Sequence, residues 1–93
     1  MSVQIIWDME DEPEGNFRHI MDGHDVTILE VEEILLNRKN TTVPSRSSGN
    51  PVTFGWTSTG RYLAVVWEHV QDDPLTIYPL TAYETNPPRK RQS

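Results

Sequence analysis

Thr53-Phe54-Gly55-Trp56, a Thr57-Ser58-Thr59-Gly60 turn, Arg61-Tyr62-Leu63-Ala64-Val65-Val66-Trp67-Glu68, a polar Gln71-Asp72-Asp73-Pro74 break and Leu75-Thr76-Ile77-Tyr78-Pro79-Leu80-Thr81-Ala82-Tyr83-Glu84 form the stretch that decides the fold. Each run is short, rich in β-branched and aromatic residues, and ended by Gly, Asp or Pro, which predicts a meander of three antiparallel strands. The middle run is apolar on both faces, with Leu63, Val65 and Trp67 on one and Tyr62, Ala64 and Val66 on the other, so it belongs in the centre of the sheet. Pro79 cannot donate to a ladder and predicts an edge position or a bulge.

Upstream, residues 3–7 are apolar enough for a leading strand, and residues 8–12 are an acidic break. Pro13 suits the first turn of a helix whose apolar face is Phe17, Ile20 and Met21, with Gly23 placed to end it. A second helix is fixed by local chemistry. Thr27 and Glu30 have the spacing of a capping box, and Val26 and Val31 that of a hydrophobic staple. Ile28, Val31, Ile34 and Leu35 line its apolar side, with Glu32 and Glu33 opposite. Residues 41–51 read as a polar loop with room for a strand at residues 41–43. The expected fold is α+β, with two N-terminal helices packed on a four- to five-stranded antiparallel sheet. Residues 1–84 make one domain, and residues 85–93, which hold Arg89, Lys90 and Arg91 but nothing apolar, are expected to be a disordered basic tail.

The chain has 93 residues and no cysteine, which excludes disulfides, thiolate metal sites and a cysteine nucleophile. No apolar run approaches the ~20 residues that span a bilayer, and no charged-then-apolar leader opens the chain. A bacterial-type cytoplasmic protein with no membrane association is therefore expected. Charge is split unevenly. Residues 1–36 hold ten acids against Arg18 alone, whereas the remainder has seven bases against four acids. The acidic half repels a phosphate backbone and the basic half can face one.

The order and spacing of several short pieces resemble the BrnT-type toxins, a branch of the RelE-like ribonuclease toxins of type II toxin–antitoxin systems. The pieces are Trp7-Asp8, Asn16-Phe17-Arg18-His19, Gly23-His24-Asp25-Val26-Thr27, Gly55-x-Thr57, Gly60-Arg61-Tyr62-Leu63 with Val65-Val66, and a closing Leu80-Thr81-Ala82-Tyr83-Glu84. Tyr83 stands where the family's closing Ser-Ala-Arg carries its arginine. The resemblance implies a metal-independent ribonuclease acting on mRNA, without a cofactor, held inactive by a cognate antitoxin.

Cleavage of that kind needs a base for the 2′-OH, cations for the charged phosphorus centre and an acid for the leaving oxygen. On the resemblance, Arg61, Tyr83, His19 and Glu84 are the catalytic candidates, and Arg46, Arg38 and Lys39 the RNA-binding ones. Arg61 opens one strand and Tyr83 ends its expected neighbour, so the strand ends meet if the two are antiparallel. Each has a plainer role as well: Arg61 can pair with Glu84, His19 can be a half-buried helix histidine, and Tyr83 can be a packing residue. No metal-ligand set is seen, since His19 and His24 are five apart across a glycine. Trp56, Tyr62 and Trp67 could stack on bases, but are expected in the sheet interior. The alternative function is a catalytically degenerate relative that binds a protein partner or forms a homodimer. It is motivated by the acidic charge and by Tyr83.

Overall fold

The computed structural model describes residues 3–23 and 25–88. Five strands and two helices follow one another as β1 (Val3–Ile5), α1 (Asn16–Gly23), α2 (Ile28–Leu36), β2 (Thr41–Pro44), β3 (Pro51–Trp56), β4 (Tyr62–Asp72) and β5 (Leu75–Glu84). They form one α+β domain with strand order β1-β5-β4-β3-β2. The meander is present, and β4 is central. The leading strand departs from the all-antiparallel expectation, because β1 runs parallel to β5, with Val3, Gln4 and Ile5 opposite Leu75, Thr76 and Ile77. The sheet is therefore mixed.

Pro79 sits at a bulge. Val66 pairs with Thr81 but Trp67 pairs with Pro79, so Leu80 is the extra residue of β5. The stretch read as a polar loop is a hairpin instead. Thr41 to Pro44 pair antiparallel with Phe54 to Pro51, and the tip is closed by Ser45 N–H to Asn50 O at 2.7 Å and Gly49 N–H to Ser45 O at 2.9 Å. Gly49 has φ 78°, a left-handed conformation that glycine adopts without penalty.

Helix α2 begins as its sequence dictates. Thr27 Oγ1 accepts from Glu30 N–H at 3.2 Å and Glu30 Oε1 accepts from Thr27 N–H at 3.1 Å, completing the capping box. Helix α1 starts later than Pro13 predicts. Residues 9–15 form successive turns, and Gly15 O accepts the first helical bond from His19 N–H. What sets that start is Asn16, whose backbone N–H donates to Asp8 Oδ2 while its side chain accepts from Asp8 N–H.

The core is built by Ile20, Val26, Val31, Ile34, Leu63, Val65 and Ala82, with Trp7, Leu35 and Trp67 packed against it. The two helices thus cover one face of the sheet, α2 over the part of β4 that carries Leu63 and Val65 and α1 over β5 beside Ala82. Close approach also fixes Gly55 as glycine. A Cβ on Gly55 would stand 2.3 Å from the side chain of Asn40, whose Nδ2 caps the Ile34 carbonyl at 2.9 Å. Gly55→Ala is therefore expected to cost about 1–3 kcal/mol in urea unfolding through overpacking. An unchanged midpoint would contradict this packing.

Candidate functional site

Strand alternation divides the sheet into two chemically different faces. On β3, Thr53 and Gly55 point to the helices: Thr53 Oγ1 accepts from the Trp67 indole at 2.8 Å and bonds Thr42 Oγ1 at 2.7 Å. Val52, Phe54 and Trp56 then point the other way, as do Tyr62, Ala64 and Val66 of β4 and Thr81 and Tyr83 of β5. Register brings these into rows. Phe54, Ala64 and Tyr83 lie side by side across three strands, Val52, Val66 and Thr81 form the next row, and Trp56 is opposite Tyr62.

Neither of the two described helices covers this second face. Trp56 is 55% exposed and Tyr83 37% exposed. The Tyr62 ring contacts Trp56 at a centroid distance of 5.1 Å and lies near-parallel to Phe54 at 6.3 Å and 15°. The expectation that Trp56 and Tyr62 are interior is corrected here; of the three aromatic residues expected inside, Trp67 alone is packed against the core. None of these face positions carries a cation.

The catalytic candidates are dispersed. Arg61 is absorbed into an ion-pair network on the helix side. Its Nη1 donates to Glu30 Oε1 at 3.0 Å and to the Asp25 carbonyl at 3.0 Å, and its Nε to Glu84 Oε1 at 3.4 Å. Glu84 therefore accompanies Arg61, opposite Leu63 in register. Tyr83, one residue away, points to the opposite face. The two strand ends meet, but the guanidinium and the phenol are separated by the sheet. His19 is exposed on α1, beside a surface hollow shared with Arg18 and Asp22. His24 lies outside the described residues.

The basic candidates do not converge either. Arg38 and Lys39 are exposed in the α2–β2 turn and Arg46 is exposed in the β2–β3 hairpin, at opposite ends of a strand that is roughly 13 Å long. Arg89, Lys90 and Arg91 lie outside the described residues. Among the described residues there is no group of three or more His, Asp or Glu side chains arranged to hold a metal ion, and no helix is long and apolar enough to cross a membrane.

Glu30 ties the Arg61 network together. It caps α2, receives Arg61, and accepts from Thr59 Oγ1 at 3.1 Å, while Glu33 accepts from Ser58 N–H at 2.8 Å. The glutamates of α2 thus bolt the helix to the β3–β4 turn rather than facing solvent alone. Burial pushes the Glu30 carboxyl up, but the Thr27 N–H, the Thr59 hydroxyl and the Arg61 charge outweigh it and leave its pKa lowered. Arg61→Ala is expected to lose about 1–2 kcal/mol, discounted for the quarter of its side chain left in solvent. A double-mutant cycle with Glu30→Ala should show coupling of about 1 kcal/mol. Zero coupling would remove the structural role.

Sequence reasoning missed a second network. Tyr78 O–H donates to Asp8 Oδ2, across 70 positions of sequence, and the same carboxylate accepts from Asn16 N–H. The Tyr78 bond, then the Asn16 bond, holds the Asp8 pKa below its ordinary value, and bonding to Asp8 raises that of Tyr78. Depressed carboxyls stabilise the fold above their unfolded values of 3.8 and 4.5, and that stability is lost as pH falls through the lower folded values. The raised phenol acts in the opposite sense, stabilising below 10.0 and losing that contribution as pH rises through its higher folded value. The melting temperature should fall at both ends of the pH range. Tyr78→Phe should flatten the alkaline limb and weaken the acid one; an unaltered alkaline limb would contradict the Asp8 pairing.

No protein-family model, curated protein or solved structure gives a match to this chain.

Proposed function

We propose that this chain is a non-catalytic binding module on a RelE/BrnT-like frame, engaging a protein partner through the uncovered aromatic face of its sheet. The partner class is the antitoxin type that the sequence resemblance implies. The observation that carries the reading is the face itself: exposed Trp56 beside Tyr62 and Phe54, in register with Tyr83, with no cation at its described strand positions. Trp and Tyr dominate the energetics of protein interfaces, whereas a phosphate backbone requires positive charge. Occupation of Arg61 by Glu30 and Glu84 supports the same reading, because a guanidinium held by two carboxylates is a poor phosphate clamp.

A ribonuclease toxin is the second reading, favoured by one observation. Tyr83 shares the uncovered face with aromatic rings that can stack on bases. In that case Tyr83 would carry the proton transfer, without Arg61 as its phosphate clamp. Expression of the chain alone, with growth and RNA integrity followed, separates the two. The binding module leaves growth and RNA intact and forms a stable complex with an antitoxin-type protein, with Arg61→Ala still bound. Growth arrest with RNA cleavage, relieved by Tyr83→Phe, would overturn it in favour of the toxin. A free protein that elutes as a dimer, disrupted by Trp56→Ser, would instead make the partner a second copy.

A further inference from the structure

We propose that residues 85–88 form a strap that crosses the aromatic pair Tyr62 and Phe54 and holds part of the docking face closed in the free protein. Thr85 N–H donates to the Tyr62 carbonyl at 2.9 Å, which pins the strap one residue beyond β5. Pro87 and Pro88 each fix their own φ, and Pro87 keeps Asn86 extended, so the path away from that pin is preset. It runs from the end of β5 over the start of β4 to β3, where Asn86 and Pro88 share a hollow of about 250 Å³ with Phe54 and Tyr62. Proline rings beside aromatic side chains are a recurring mode of peptide docking, and the hollow places Pro88 next to such rings within one chain.

The strap is built to come off. Asn86, Pro87 and Pro88 are exposed, and beyond Thr85 no hydrogen bond among the described residues ties them down. A partner that uses Phe54 and Tyr62 must displace it, so the strap sets a threshold for binding. This inference rests on the aromatic face being the docking surface, but the contact itself can be read with no partner present.

The test uses the full-length chain. In the wild-type protein, nuclear Overhauser contacts are expected between the Pro88 ring and the Phe54 ring; their absence overturns the strap whatever any variant does. In the Pro87→Gly/Pro88→Gly variant, the Phe54 and Tyr62 ring signals should move, the Trp7 and Trp67 indole signals should stay, and binding of the apolar dye anilinonaphthalene sulfonate should rise severalfold. Adding Phe54→Ser should cancel that rise. Unmoved ring signals and unchanged dye binding, or a rise that survives Phe54→Ser, would overturn the proposal. Failure of an antitoxin-type protein to bind leaves these readings untouched and counts against the partner alone.

Discussion

Replacing Asn16 with alanine is expected to lower the melting temperature by about 10–25 °C, the largest effect of any single polar substitution in the domain. Asn16 is 3% exposed, and its side chain makes three bonds to backbone groups. Nδ2 donates to the Ile6 carbonyl at 3.0 Å and the Pro79 carbonyl at 2.9 Å, and Oδ1 accepts from Asp8 N–H at 2.8 Å. It therefore joins the end of β1, the start of α1 and the bulge of β5. Alanine leaves three backbone groups without partners, at a cost of about 2–4 kcal/mol. Aspartate discriminates this from simple loss of volume. It is nearly isosteric but presents only acceptors to two carbonyls, so Asn16→Asp should destabilise at least as much as Asn16→Ala. A melting curve in which Asn16→Asp matches wild type would show that the side chain does not bridge these strands.

Trp56→Ser is expected to weaken partner binding at least about thirtyfold, the consequence of removing about 2 kcal/mol or more at an interface centre. The indole is well placed for that role: it is the most exposed aromatic ring of the face and is propped by Tyr62 at 5.1 Å. Stability should change little, because the side chain lies outside the core cluster. Titration calorimetry on the folded variant therefore reads binding rather than unfolding. Arg61→Ala supplies the contrast, since it should lower stability while leaving affinity within about threefold of wild type. The reverse pattern would move the working surface to the Arg61 network.

Much of the fold was legible because the decisive signals are local. The Thr27/Glu30 box states the start of α2 within four residues, and the two-faced apolar pattern of residues 62–67 places β4 at the centre. Pro79 announces its bulge by lacking a donor. Orientation of β1 was not legible, since three residues carry no sign of whether their partner runs parallel. The start of α1 was misjudged because Pro13 is a local cue, while the Asp8–Asn16 pair that overrides it depends on the chain folding back.

The site was harder to read for a related reason. Two apolar faces on β4 suggest burial on both sides, but helices of eight and nine residues cover only one. Phe54, Trp56 and Tyr62 were legible as strand residues and illegible as surface. Arg61 could be matched to Glu84 along adjacent strands, yet its shorter bond is to Glu30, 31 positions away on a helix whose acidic side looked solvated.

Three indole N–H signals offer the most direct test that the uncovered face is the working surface. Trp7 donates to Glu32 at 2.9 Å and Trp67 to Thr53 at 2.8 Å, both on the helix side, whereas Trp56 stands on the other face. In a proton–nitrogen correlation spectrum, titration with a protein that binds the chain should shift the Trp56 indole and leave those of Trp7 and Trp67 in place. A partner that shifts Trp7 or Trp67 while Trp56 stays still would contradict the assignment.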